Sequence, residues 1–423
     1  MLSQKIKIWL NTQKKLHKLN IKIINLNMIE NWKFSRKSIN HVSKKFFKIV
    51  GIKVFSNFYK RNWEQPIIVQ NEVGILGIIK NKKTKKYLLQ AKVEPGNINK
   101  LQIAPTVQAT KSNYSGVHGG TKVPYINYFL RYKNLTKFNQ SEQGFRYLHK
   151  FNSNILIETS KKITKRSAFY WFSKKQIKEL IKEKNIINMD TISILSSFIT
   201  KLKVNNPINS NKIIENWIKA CDKIYFIKTE IVNLNKLKNW SIKLKKISHK
   251  TRKHFSIVGI KVSTSKREIN NWSQPILKGK KMAFACFVKT RIYNTDHYLC
   301  RYILKPGLKK SSIGCTANTS DITMYNNNKH LSQIEKNFIK KYFFNKSFKK
   351  NIIYDNILSD EGGRFYNCQI RYMISLIDFA NIQNIPKNFM FLSHNQIVDM
   401  IKNKKLDIES RLLFACDNIN YIK

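Results

Sequence analysis

The sequence predicts an α+β protein made of two tandem copies of one module. Three observations carry that expectation: internal matches that keep their order, short strand-like runs closed by Gly or Pro, and a Ser-opened helical pattern near the end of each half. IINLNMIENW (Ile23 to Trp32) recurs as IVNLNKLKNW (Ile231 to Trp240), displaced by 208 residues. FFKIVGIKV, ending at Val54, recurs as HFSIVGIKV, ending at Val262. NWEQP (Asn62 to Pro66) returns as NWSQP (Asn271 to Pro275), displaced by 209, and SEQGFRY (Ser141 to Tyr147) as SDEGGRF (Ser359 to Phe365), displaced by 218.

The elements follow in the same order in each copy. The basic, loosely amphipathic opening MLSQKIKIWLNTQKKLHKLN reads as a surface helix, without the apolar core or cleavage site of a signal peptide. A strand ending in GIKV leads to an aromatic-Gln-Pro turn. Strands GILGIIKN, KYLLQAKVEPG and KLQIAPTVQAT come next in the first copy, and further β or mixed segments follow. The unit closes on helices, FSKKQIKELIKEKNI from Phe172 and LSHNQIVDMIKNKKL from Leu392, each opened by Ser. KVNNPINSN is a polar, Pro-containing link, which sets domains of 1–208 and 209–423.

Composition narrows the class. The chain has 423 residues, 42% hydrophobic and 12% aromatic, enough for a large core. Lys and Asn interrupt every apolar run, so no ordinary membrane helix is expected. Six scattered cysteines without close pairing suit a reduced, cytoplasmic protein with no disulfide framework and no structural zinc. The formal charge of +55 would suit a nucleic-acid binder. Against that, only 12 of the 79 basic residues are arginine, and the lysines are spread over the whole chain. Lys, Asn and Ile share AT-rich codons, so drift is the better account, and nucleic acid is the less favoured partner.

One stretch stands out chemically: QAKVEPGNINKLQIAPTVQATKSNYSGVHGGTKVPY, from Gln90 to Tyr125. Here Lys and Ile thin out, and Glu94, Gly96, Gln108, Asn113, Tyr114, His118, Gly119 and Gly120 crowd in at strand ends and Gly-containing loops. Polar groups so placed are what a ligand pocket needs; the plainer reading is two loops of a β-rich domain. The copies differ at these positions: QAKVEPGN becomes RYILKPGL, so Lys305 stands for Glu94, and Asn318 stands for Gln108. This reads as one working site and one eroded copy, although the second copy's acidic turn, Asp360-Glu361-Gly362-Gly363-Arg364, is the richer one. No Walker loop, dinucleotide glycine motif, nucleophile elbow or zinc His pair occurs, which leaves acid–base chemistry by Glu, His, Tyr and Lys. Each candidate has a plainer alternative: Glu94 as a solvated turn carboxylate, His118 as part of a surface loop, Tyr114 as core. Glu142 and Arg146 pair with each other or hold a loop, and Arg146 is also suited to gripping a phosphate. Trp63 and Trp272 recur in both halves, so they read as packing residues.

QAKVEPGN, PTVQATKSNY, HGGTKVPY and SEQGFRYLHKFNSN together resemble the first module of the NDP-hexose 2,3-dehydratases. HFSIVGIKV, NWSQP and DEGGRFYNCQIRYM resemble that family's second module. The resemblance covers about Trp9 to Cys416 and implies two Nudix-like modules, a homodimer, and no redox cofactor or metal. It implies a dTDP-4-keto-6-deoxyhexose substrate, which loses its carbon-2 hydroxyl to give a 3,4-diketo-2,6-dideoxy sugar for natural-product glycosylation. On that footing Glu94 or His118 is the base and Tyr114 the acid. Lys92 or the amides near Gly119 would face the enolate oxygen. Gln90, Gly96, Gln108, Asn113, Gly120, Tyr125, Glu142 and Arg146 would hold the sugar and diphosphate. Two rivals are a non-catalytic nucleotide-sugar binder of the same fold and a basic nucleic-acid binder.

Overall fold

The computed structural model describes residues 2–117, 119–131, 135–265, 267–279, 282–319 and 333–423. Among the described residues, two seven-stranded and two six-stranded mixed sheets carry the fold, and a few helices pack on them. In the first half the larger sheet runs Thr136–Ser141, Phe151–Thr159, Gly74–Asn81, Tyr87–Val93, Phe169–Phe172. The short strands Leu101–Ala104 and Val107–Ala109 pair off that path. The second half repeats this plan around Ala283–Ile292, Thr295–Ile303 and Gln369–Leu376.

The smaller sheets exchange strands. Leu19–Ile24 lies antiparallel to Ser256–Thr264 of the second half, with Leu19 opposite Thr264. Ile227–Val232 returns the exchange against Lys48–Ser56 of the first half, with Ile227 opposite Ser56. Each half thus satisfies an edge of the other half's sheet, and pulling them apart would strand two rows of backbone donors and acceptors. One core cluster includes Leu76 and Met189 together with Val258 and Phe414, so apolar burial crosses the divide as well.

Local signals explain the helices. Gln4–Leu16 buries Ile6 and Leu10, and its Trp9 ring N–H donates to the Ser167 carbonyl at 3.2 Å. Lys174–Ile181 opens with a capping box, in which Gln176 N donates to Ser173 Oγ and Ser173 N donates to Gln176 Oε1. His394–Lys402 repeats it with Ser393 and Gln396. The helices Met189–Ser197 and Ile408–Asp417 are buried almost throughout and are capped by Asn188 and Asp407. None of the described helices is long and apolar enough to cross a membrane.

The expected aromatic-Gln-Pro turns are strands instead. NWEQP lies within Arg61–Val69 and NWSQP within Asn271–Lys278. In each strand the proline stands opposite a glycine, Gly51 opposite Pro66 and Gly259 opposite Pro275, and those glycines make room for the strand that the other half contributes. Alternation places Trp and Gln on one face, where Trp63 Nε1 donates to Gln65 Oε1 at 2.9 Å and Trp272 Nε1 to Gln274 Oε1 at 3.0 Å. Each Gln then donates 2.7 Å to a carbonyl of its own half's acidic turn, Phe145 or Gly363. Both tryptophans pack against apolar clusters as expected, and Trp272 also turns a face to the space between the halves.

The Pro-Gly turns lock the halves together. Gly96 N donates to Gly362 O and Gly307 N to Gly144 O, each at 2.7 Å. A Cβ on Gly96 would stand 1.8 Å from the Phe365 carbonyl oxygen, and one on Gly307 1.7 Å from that of Tyr147. Rigid backbone on both sides leaves no room to relax. Gly96→Ala and Gly307→Ala should each destabilise the protein by about 2–3 kcal/mol, as overpacking does. Thermal unfolding of the two variants checks this; unchanged transitions would show that the turns can separate freely.

Candidate functional site

A cleft of about 420 Å³ lies between the halves. Its floor is the end of the strand Tyr87–Val93, where alternation turns Lys92 and, just beyond the strand, Glu94 to the same side. Lys92 Nζ stands 3.4 Å from Glu94 Oε1 and donates to Gln108 Oε1 at 3.0 Å. Gln108 Nε2 donates to Glu94 Oε1 at 3.1 Å, and Asn188 Nδ2 to Glu94 Oε2 at 3.4 Å. Glu94 is 3% exposed and Lys92 7%. Burial pulls the Lys92 ammonium below its usual range, partly offset by Glu94 and reinforced by Arg267.

The second half supplies the opposite wall, including Arg267, Glu268, Trp272, Gln274, Glu361 and Arg364. Arg267 reaches across to donate to the Val93 carbonyl at 2.7 Å. Burial works to raise the Glu268 carboxyl, but Arg267 and Lys92 overcome it and hold the group low. The Arg364 guanidinium lies 4.3 Å over the Phe47 ring, and its buried Nε has no hydrogen-bond partner among the described residues. Trp32 and Phe47 add an aromatic edge, with ring centroids 4.7 Å apart.

Deeper in, acidic groups gather. Asp190, in the first turn of Met189–Ser197, is pushed well above the usual carboxylate range by burial and by Glu142, Glu361 and Glu94. Glu361 is pushed up by burial and Glu94 against the pull of Arg364, Tyr147 and Lys150. Lys150 also lines the cleft; burial lowers its ammonium, and it donates to the Glu72 carbonyl. Among the described residues, no group of three or more His, Cys, Asp or Glu side chains is arranged to hold a metal ion.

Of the residues singled out from sequence, Lys92, Glu94, Gln108 and Asn113 meet in the cleft. Glu142 sits one bond behind it, accepting from Asn152 Nδ2 at 2.6 Å, and does not pair with Arg146. Other candidates are placed elsewhere, each for a local reason. The Gln90 amide donates to the Pro105 and Thr106 carbonyls, and Gly96 is wedged against Phe365. Tyr114 packs into an apolar cluster with Val123 and Phe129. Gly119, with φ of +67°, spends its amide on the Gly116 carbonyl. Gly120 lies against the Glu268 backbone, and Tyr125 donates to the Thr164 carbonyl at 2.8 Å. Arg146 is turned into the seam between the halves, donating to Cys368 Sγ at 3.4 Å and lying over Phe365. His118 lies outside the described residues.

The sequence reading missed Lys150, Asn152, Asp190, Arg267, Glu268, Glu361 and Arg364 as cleft residues. The acidic turn of the second copy was a visible signal for Glu361 and Arg364; STSKREIN around Arg267 offered none. The second copy is also not merely eroded, because it walls the first copy's cleft. The corresponding place beside Lys305 is filled. Lys305 is bonded to Asp407 and Glu409 at 2.8 and 2.7 Å, Tyr59 donates to Leu304 O at 2.5 Å, and Phe58, Tyr59 and Phe145 pack around them.

Comparison with known proteins adds the chemical identity. A family profile described as NDP-hexose 2,3-dehydratase matches residues 3–198 and again 211–416. A dTDP-4-dehydro-6-deoxy-α-D-glucopyranose 2,3-dehydratase of Saccharopolyspora spinosa is 31% identical over 93% of this chain and 86% of its own. Proteins of the same name from Streptomyces violaceoruber and Amycolatopsis orientalis are each 28% identical. They cover 96% and 99% of this chain, and 95% and 90% of their own. The crystal structure of an ADP compounds hydrolase aligns with 38% of this chain and 84% of its own at 9% identity and a TM-score of 0.25. With both halves matched and a cleft that depends on both, this chain belongs to the NDP-hexose 2,3-dehydratase family.

Proposed function

We propose that this chain is a hydro-lyase acting on a dTDP-4-keto-6-deoxyhexose, with dTDP-4-keto-6-deoxyglucose the substrate named for its relatives. The observation that carries the reading is the Lys92–Glu94–Gln108 cluster in a cleft walled by Arg267 and Arg364. The carbon-4 ketone acidifies the hydrogen on carbon 3. Glu94 takes that proton, and Lys92 stabilises the enolate oxygen. The carbon-2 hydroxyl, β to the carbonyl, then leaves as water, and the enol becomes the 3,4-diketo-2,6-dideoxy sugar. Arg364, with an unpartnered Nε, suits the diphosphate, and Trp32, Phe47 and Trp272 offer faces to the sugar or base.

Several associated readings belong to the same proposal. The ordered internal matches support a duplicated origin with units 1–208 and 209–423, and the family resemblance supports a Nudix-like ancestry for each. Association as a homodimer and a role in secondary metabolism follow from the same resemblance, and a cytoplasmic location from the six unpaired cysteines.

The direct test incubates the protein with dTDP-4-keto-6-deoxyglucose and a 3-ketoreductase that traps the diketo product. A 2-deoxy sugar nucleotide is expected, and its absence would remove the assignment. Glu94→Gln should lower kcat about 10²–10⁴-fold, the usual worth of a positioned base, while dTDP binding is retained. Full turnover in that variant would take Glu94 out of the chemistry.

The buried carboxyls also predict a pH dependence of stability. Burial and Glu361 raise the Glu142 carboxyl from 4.5 to about 7, against Arg411, Lys150 and the Asn152 bond. The folded chain therefore keeps a proton that the unfolded chain releases earlier. Its stabilising effect is complete below about pH 4.5 and is lost as pH rises through about 7. Glu142→Gln, which cannot ionise, should lose less stability than the parent between about pH 5 and about pH 8. Thermal unfolding at several pH values measures this, and parallel curves would refute it.

A further inference from the structure

We propose that Glu361, carried by the second half, is the acid that protonates the departing carbon-2 hydroxyl, so that base and acid come from opposite halves of the chain. This rests on reading the cleft as a 2,3-dehydratase site. An elimination needs two groups facing one substrate, one accepting a proton and one giving it. Glu94 is set up to accept, since Lys92, Gln108 and Asn188 all offer it donors. Glu361 lies on the other wall of the same cleft.

Its surroundings suit the opposite role. Tyr147 donates to Glu361 Oε2 at 2.5 Å, which fixes that oxygen and leaves Oε1 for a ligand. Gly363 keeps the approach to Oε1 open, because a Cβ there would stand only 3.1 Å from it. At the matching place in the first half stands Phe145, packed beside Lys305 where the second copy is filled. The charged and titratable groups around Glu361 are Glu94, Glu142 and Asp190, which favour its protonated form, and Arg364, Lys150 and Tyr147, which oppose it. Burial adds to the first set. The neighbouring acids are placed otherwise: Glu142 sits behind Asn152 and does not line the cleft, and Asp190 belongs to the first half, as Glu94 does, whereas Glu361 is half-buried on the wall that the second half supplies. Tyr114, the acid expected from sequence, packs in an apolar cluster and does not line the cleft.

The step balances without a co-reactant. Glu94 takes the carbon-3 proton, and the electron pair forms the enolate. As the carbonyl re-forms, the carbon-2–oxygen bond breaks, Glu361 gives its proton to the leaving oxygen, and water departs. In the tautomerisation the Glu94 proton returns at carbon 2, and the enol hydroxyl restores the proton of Glu361.

The test follows two signals in deuterated water: loss of water from the substrate and wash-in of deuterium at carbon 3. Glu361→Gln should eliminate at least about 100-fold more slowly yet still exchange the carbon-3 hydrogen. Glu94→Gln should lose both. The parent's high-pH fall in kcat, set by loss of the acid's proton, should vanish in Glu361→Gln. Elimination at the parent rate in Glu361→Gln would overturn this inference alone, as would joint loss of exchange and dTDP binding, which marks a structural role. No dehydration by the parent protein would take down the reading of the cleft, and this inference with it. If Glu361→Gln does not fold, Tyr147→Phe decides. Its high-pH limb should shift and kcat fall about tenfold with exchange retained; an unchanged profile overturns the assignment.

Discussion

The interlocking of the two halves is the constraint on which everything else depends. Each half gives a strand to the other's sheet, and each presses a Pro-Gly turn onto the other's acidic turn with no space for a side chain. These contacts are backbone to backbone, so their geometry is set by hydrogen-bond length and carbonyl size and not by side-chain rotamers. Glu94 immediately precedes one of those turns, and Glu361 lies within the acidic turn that receives it. Docking the halves therefore fixes the two carboxyl groups on facing walls without any contact between them having to hold the cleft together.

The near-symmetry of the scaffold makes the asymmetry of its two faces informative. Where one side has Glu94, Arg267 and Gly363, the other has Lys305, Tyr59 and Phe145. The backbone plan is kept: Arg267 bonds the Val93 carbonyl in one place and Tyr59 the Leu304 carbonyl in the other. The helix caps change in step, since Asn188 faces Glu94 while Asp407 faces Lys305. A buried cation paired with two carboxylates and surrounded by rings needs no ligand to satisfy it. A buried cluster holding several acidic groups, a lysine and an unpartnered arginine nitrogen is left ready for a polar ligand.

The energetic cost of that readiness shows in the proton affinities. Burial lowers the charge preference of Lys92 and Lys150 and raises the carboxyls of Glu142, Asp190 and Glu361. Crowding like charges in a site shielded from water separates the roles of groups that would be equivalent in solvent.

The sequence by itself determined the repeating α+β plan, the Ser-capped helices and the cluster around Glu94. These depend on local patterns: period-two alternation, capping chemistry and the crowding of polar residues at strand ends. It also exposed Lys92, Gln108 and Asn113, because they sit close to Glu94 along the chain. It could not separate Gly96 as a docking glycine from a ligand glycine, or tell that Gln90, Tyr125 and Arg146 spend their polar groups on the fold. Only the tertiary structure decided that NWEQP and NWSQP are strands and that the second copy walls the first copy's cleft with Arg267, Glu361 and Arg364. The physical reason is distance along the chain. Strand exchange and turn docking join residues some two hundred positions apart, and no local propensity records which of those distant surfaces will meet.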